Sequence, residues 1–262
     1  MTEFPSDRKP FAVANWKMAM TVAEGHAFLR QFREHLGDVA AAVDVVLCPP
    51  YTALHPMAQA LEGTPIELGA QNLSAAAGKA HTGDVSAELL ADVGCRWVLV
   101  GHWEIRRRDD ESDTDVNQKL LAALDAGLRP ILLVGESADR RGDAEQALAE
   151  RLPALLAGSA APHVARMGIV YEPEWTIGVD QPAPPDHVAA GCRAIRRWIA
   201  HAYDDATADQ VRTIYGGSVT PAYAEGLLDS PHVDGLGAGR TGRDPKAFAQ
   251  IIRLIAQAKG AI

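Results

Sequence analysis

Glu172 stands at the end of an apolar run (Met167, Ile169, Val170) and is followed at once by Pro173, then Trp175, Ile177 and Gly178. A carboxylate at a strand end, on a segment hinged by Pro and Gly, is what proton abstraction under a closing lid requires. By itself Glu172 could equally be a surface residue before a turn. Asn15 and Lys17 lie two apart behind Phe11–Ala14. In extended chain both face one way while Trp16 faces the other, and a lysine there can stabilise a developing oxyanion. Alone it reads as a surface lysine. His102 follows Trp97–Val100 and Gly101, where an imidazole can shuttle protons or polarise a carbonyl, or serve as a hydrogen-bonded structural histidine. Glu104 is either its partner in a network or an acid favoured by a helix N-terminus. Glu136, between Gly135 and Ser137 at a helix start, is expected to be structural.

Two further stretches could hold an anion. Tyr215–Gly216–Gly217–Ser218–Val219 and Gly235–Leu236–Gly237–Ala238–Gly239–Arg240 place glycines, Ser218 and Arg240 at neighbouring strand ends. Glycines let backbone N–H groups close on a phosphate, although two tight turns would look the same. A base, a polarising imidazole and a phosphate cradle together point to proton transfer beside the carbonyl of a small phosphorylated sugar. No metal-ligand spacing is present, and no cofactor is implied.

These residues need a frame that brings them together. Short apolar runs recur at Phe11–Ala14, Val43–Leu47, Ile66–Leu68, Trp97–Val100, Ile131–Val134, Met167–Val170, Val211–Ile214 and Val233–Leu236. Brief, uninterrupted and mostly β-branched, they read as strands buried on both faces of a parallel sheet. Amphipathic segments alternate with them, such as Val188, Cys192, Ile195 and Ile199 at steps of three or four. Thr220–Pro221 and Asp244–Pro245 read as capped helix starts, and Pro153 is expected to interrupt a helix around Leu148–Leu156. Asp109–Asp115 and Pro182–Pro185 read as surface loops of one domain. Eight strands alternating with helices predict an α/β fold, a single (β/α)8 barrel over 1–262 whose working face is the C-terminal strand ends. An open doubly wound sheet is the alternative; no G-x-G-x-x-G follows the first strand.

The bulk composition narrows the partners. Of 262 residues, 25 are basic and 34 acidic, for a net charge of −9, which argues against nucleic acid or an anionic membrane surface. No apolar stretch approaches the roughly 20 residues of a membrane span. Three widely spaced cysteines, Cys48, Cys95 and Cys192, fit neither a disulfide framework nor a metal site and favour the reducing cytoplasm.

Taken in order, Asn15–Trp16–Lys17–Met18, Gly69–Ala70–Gln71–Asn72, Thr82–Gly83–Asp84–Val85–Ser86, Gly101–His102, Gly135–Glu136, Tyr171–Glu172–Pro173, Trp175, Ile177–Gly178 and Tyr215–Gly216–Gly217–Ser218–Val219 resemble the triosephosphate isomerase family over essentially the whole chain. The resemblance implies a TIM barrel. It also implies Glu172 as base, His102 as electrophile and proton shuttle, Lys17 and Asn15 as oxyanion stabilisers, and Gly178, Ser218 and Gly239 as phosphate binders. This family is itself the standard example of a Glu base with a neutral His under a closing loop. Thr82–Ser86 resembles the family's loop that docks into a partner subunit, implying a homodimer.

The chain departs from the family pattern at several places. Trp103 replaces a small residue after the histidine, Glu174 and Asp180 enter the lid, and the last loop reads Gly237–Ala238–Gly239–Arg240–Thr241. Trp103 is expected to add bulk at the mouth, with Gly237 and Ala238 removing it. Arg240 is expected to bind phosphate or to pair with Glu174 or Asp180. The Gly-Arg-Thr pattern resembles a branch of the family acting on four-carbon ketose phosphates in tetritol catabolism. The expected substrate is therefore a tetrulose phosphate (L-erythrulose 1-phosphate to D-erythrulose 4-phosphate type). Ordinary triose phosphate isomerisation in glycolysis is the alternative. A catalytically silent sugar-phosphate-binding barrel is a third reading. An aldolase would want a Schiff-base lysine inside a middle strand or a metal site.

Overall fold

A computed structural model describes residues 8–262. Eight parallel strands close into a barrel in chain order: β1 Phe11–Asn15, β2 Asp44–Cys48, β3 Ile66–Ala70, β4 Trp97–Val100, β5 Arg129–Val134, β6 Gly168–Tyr171, β7 Arg212–Gly216 and β8 Gly235–Ala238. The ring closes where Phe11 of β1 stands beside Gly235 of β8. The alternative open sheet is thereby excluded.

Side-chain alternation explains why the strand sequences are apolar throughout. Phe11 and Val13, Trp97 and Leu99, and Ile131 and Leu133 point inward with Val170 and Ile214 to fill the barrel. Their intervening neighbours, such as Ala12, Val98 and Leu132, face the surrounding helices. Both faces are buried, so no polar alternation survives. Phe11 and Trp97 pack at 5.0 Å between ring centroids on the barrel floor.

The ends of several elements differ from the sequence expectation. β8 starts at Gly235, two residues late. The Asp234 carboxylate is occupied by Arg8 Nε (2.8 Å), Arg196 Nη2 (2.6 Å) and the Thr213 N–H (2.8 Å), which fixes this residue below the strand. Gly235 itself is obligatory, because a Cβ there would lie 1.8 Å from the Phe11 carbonyl oxygen. Pro153 does not interrupt its helix, Ala144–Leu155. It sits in the last turn, and the helix runs only two residues past it. Only residues 110–112 separate the helices Trp103–Asp109 and Asp113–Asp125, because Ser112 and Asp115 form a capping box. Asp244 caps its helix as expected, whereas the Thr220 side chain makes no cap bond.

Candidate active site

A cavity of about 350 Å³ opens at the C-terminal end of the barrel, at the small end of the range for ligand sites. Asn15, Lys17, His102, Glu172, Gly178, Ser218, Gly239 and Arg240 all line it. The barrel thus gathers residues that are up to 225 positions apart in the chain.

The end of β1 aims Lys17 by a backbone kink. Lys17 has φ 54°, a left-handed conformation rare for a lysine. It is held there from three sides. Asn15 Oδ1 accepts the Lys17 N–H (2.9 Å), Gln71 Nε2 donates to the Lys17 carbonyl (2.9 Å), and buried Trp16 anchors its indole N–H on the Gly242 carbonyl (3.1 Å). Such over-determined strain is typical of functional positions. The ammonium reaches Glu104 Oε1 at 2.5 Å. Partial burial opposes the charge on Glu104, but the Lys17 hydrogen bond, His102 and nearby cations outweigh it and hold its carboxyl below the ordinary range. Glu104 thus contacts Lys17 through its side chain and His102 through its N–H. Asn72, by contrast, turns away from the cavity to accept from Lys119.

Gly101 turns the chain at φ 82°, so that His102 rather than its predecessor enters the cavity. His102 caps the helix Trp103–Asp109, with its Nδ1 accepting the Glu104 N–H at 3.1 Å. In the neutral ring this places the proton on Nε2. That atom faces the cavity, 3.6 Å from Glu172 Oε1.

Glu172 is 5 % exposed. Burial raises its carboxyl above the ordinary value, and the positive charge of Lys17 and the partner His102 only partly counter this. Its Oε2 is buried without a hydrogen-bond partner. A desolvated carboxylate that lines the cavity, with Oε1 beside His102 Nε2, is a competent base.

The following segment folds over the mouth. It begins with a 3₁₀ turn, Glu174–Thr176. Trp175 donates to Glu136 Oε1 at 2.8 Å, and Tyr171 and His187 meet the same fully buried carboxylate at 2.8 and 2.9 Å. Glu136 is structural, as its sequence context indicates. On the far side, the Ser218 hydroxyl donates to the Val179 carbonyl (2.5 Å) and the Thr176 carbonyl (3.2 Å), and Arg240 meets Asp180 at 3.2 Å. Of the partners open to Arg240, Asp180 is the one it takes; Glu174 pairs with Arg107 instead.

Trp103 requires a correction. It does not line the cavity, so it does not crowd the substrate. Its indole lies behind the base and donates to the Glu172 carbonyl at 2.8 Å. Among the lining residues that sequence reading missed are the cavity floor, Val13, Leu99, Leu133 and Val170, and at the rim Thr220 and Arg243. Strand parity could have found two of them, since Val13 shares a face with Asn15 and Val170 with Glu172.

The family model for triosephosphate isomerase matches residues 10–255. The chain belongs to the triosephosphate isomerase family, and is an isomerase of that family. A triosephosphate isomerase of Symbiobacterium thermophilum is 40% identical over 254 residues, covering 96% of this chain and 99% of that protein. One from Carboxydothermus hydrogenoformans is 39% identical over 248 residues, covering 94% and 98%. The crystal structure of triosephosphate isomerase from Bartonella henselae superposes with a TM-score of 0.83 at 31% identity, over 94% of this chain and 98% of that one. These relatives carry the triose name, and the expected four-carbon substrate gains no support from them. Among the described residues no helix is long and apolar enough to cross a membrane.

Proposed function

We propose that the protein interconverts dihydroxyacetone phosphate and glyceraldehyde 3-phosphate, as one barrel domain working in the cytoplasm. The observation that supports this best is the convergence of Glu172, His102 and Lys17 on one small cavity beside the glycine-rich ends of β7 and β8. The Glu172 carboxylate takes the proton from the carbon next to the carbonyl and returns it to the neighbouring carbon. The His102 Nε2–H and the Lys17 ammonium, with Asn15 behind it, stabilise the enediolate oxygen, and His102 moves the proton between the two oxygens. Gly178, Ser218 and Gly239 bring backbone N–H groups to the phosphate, with Arg240 at its outer edge.

A second reading keeps the four-carbon ketose phosphate, for one specific reason. A Cβ on Gly237 would have only ordinary contacts, the nearest at 3.7 Å, so the wall there has room that no side chain fills. The experiment is to assay the purified protein on glyceraldehyde 3-phosphate and on both erythrulose phosphates side by side. Turnover of the triose near the diffusional ceiling of about 10⁸ M⁻¹s⁻¹ with a silent tetrulose supports the first reading. The reverse preference replaces it with the second, and no turnover on any of them leaves the silent barrel.

A further inference from the structure

The helix Trp103–Asp109 makes two contacts with the first hinge of the lid, one turn apart. Trp103 donates its indole N–H to the backbone carbonyl of Glu172 at 2.8 Å. Arg107, four residues on and so on the same face, holds the Glu174 carboxylate through Nε at 3.0 Å and Nη2 at 2.9 Å. The other Glu174 oxygen accepts the Ala138 N–H at 2.8 Å. The residue that carries the base, and the lid residue two beyond it, are thus both tied to the helix that begins at His102.

Trp103 is itself held rigidly. Two guanidinium groups stand against its ring, Arg151 at 4.9 Å and Arg106 at 5.9 Å from the centroid. Asp113 joins the two arginines, at 2.8 Å from Arg106 and 2.7 Å from Arg151. Arg106 Nε donates to the Gly101 carbonyl (2.9 Å), just before His102, and Arg151 Nη1 to the Gly135 carbonyl (2.6 Å). Gly135 packs directly on the base's peptide, since a Cβ there would lie 2.2 Å from the Glu172 carbonyl oxygen. This frame touches the strand ends of both His102 and Glu172 and leaves little freedom to the indole between them.

We propose that Trp103 is a positioning residue for the base. Its N–H, with the Arg107–Glu174 pair beside it, fixes the Glu172 peptide so that the carboxylate projects into the cavity toward His102 before substrate arrives. The inference rests on the isomerase reading above. A base held in place before binding needs no reorganisation in the reaction, and a shift of about 1 Å can cost up to about 10²-fold. The contact is to backbone outside the cavity, so it acts on the chemical step and not on phosphate affinity.

Trp103→Phe keeps an aromatic ring beside the two arginines and removes the N–H together with part of the indole's bulk. On whichever sugar phosphate the wild type isomerises, it should lower kcat about tenfold and leave KM within about twofold, with circular dichroism unchanged. Arg107→Gln removes the second tie at a half-exposed side chain and should lower kcat about threefold, again without moving KM. A folded Trp103→Phe variant with wild-type kcat, or one whose loss falls in KM, overturns the proposal. If that variant does not fold, an Arg107→Gln enzyme with unchanged kcat overturns it. A wild type silent on all the substrates sinks the isomerase reading instead, so the two failures are distinct.

Discussion

At the residue scale the base decides most. Replacing Glu172 by Gln keeps the shape and removes the basic oxygen, so kcat should fall by a factor on the order of 10² or more; steady-state assay checks this. The same variant should be more stable than the wild type at alkaline pH. Burial raises the Glu172 carboxyl above the ordinary carboxylate range, opposed by His102 and Lys17 and aided by Glu104, so the folded state binds that proton more tightly than the unfolded one. Stability from this group is therefore present at acid pH and is lost as pH rises through the folded value. Glutamine does not titrate. The melting temperature of Glu172→Gln should exceed that of wild type at pH 8, with the gap closing toward pH 4. For the same reason the acid limb of kcat/KM should lie above the ordinary carboxylate value. An equal gap at both pH values would remove Glu172 as the cause.

At the element scale the lid is fastened very differently at its two ends. Its base is tied to Glu136, which burial penalises but which the His187, Trp175 and Tyr171 hydrogen bonds hold below the ordinary range. Glu136→Gln keeps an oxygen at the Oε1 position for Trp175 and His187 but turns an NH2 group toward the Tyr171 hydroxyl that donates to Oε2. Losing one partner of a buried charged hydrogen bond costs about 1.5–3 kcal/mol, which for a chain of this size lowers the melting temperature by roughly 3–12 °C; calorimetry measures it. The distal tie, Arg240 to Asp180, has side chains 68% and 90% exposed. Solvent and salt leave such a pair worth about 1 kcal/mol or less. Arg240→Ala should raise KM about fivefold or less and should leave the melting temperature unmoved. A KM change of a hundredfold would instead make Arg240 a direct phosphate ligand.

At the scale of the whole molecule, the loop between β3 and the helix Ala87–Asp92 is what the cavity does not account for. Residues 76–84 are exposed, and the loop is braced internally by Ser74 donating to Asp84 at 2.6 Å and by the Ser74 N–H on the Val85 carbonyl at 2.9 Å. A braced, protruding loop is suited to docking, and we expect a homodimer formed through Thr82–Ser86. Sedimentation at micromolar concentration should give twice the 27.9 kDa chain mass. A fully active monomer would rule this out.

The sequence by itself determined the eight strands and the barrel, and it marked Lys17, His102 and Glu172, which the fold gathers around one cavity. Each is a local signal: a two-face-buried strand needs an unbroken apolar run, and Glu172–Pro173 or Gly216–Gly217–Ser218 marks a strand end whatever surrounds it. It did not determine where β8 begins, because that depends on Arg8 and Arg196 converging on Asp234 from distant parts of the chain. Nor did it place Trp103, which reads as bulk beside His102. Only the closed ring, which sets the end of β4 near the end of β6 by way of β5, turns that indole behind Glu172. Side-chain direction after a residue such as Gly101 at φ 82° follows from the backbone turn and its long-range hydrogen bonds, and no spacing rule along the chain carries that information.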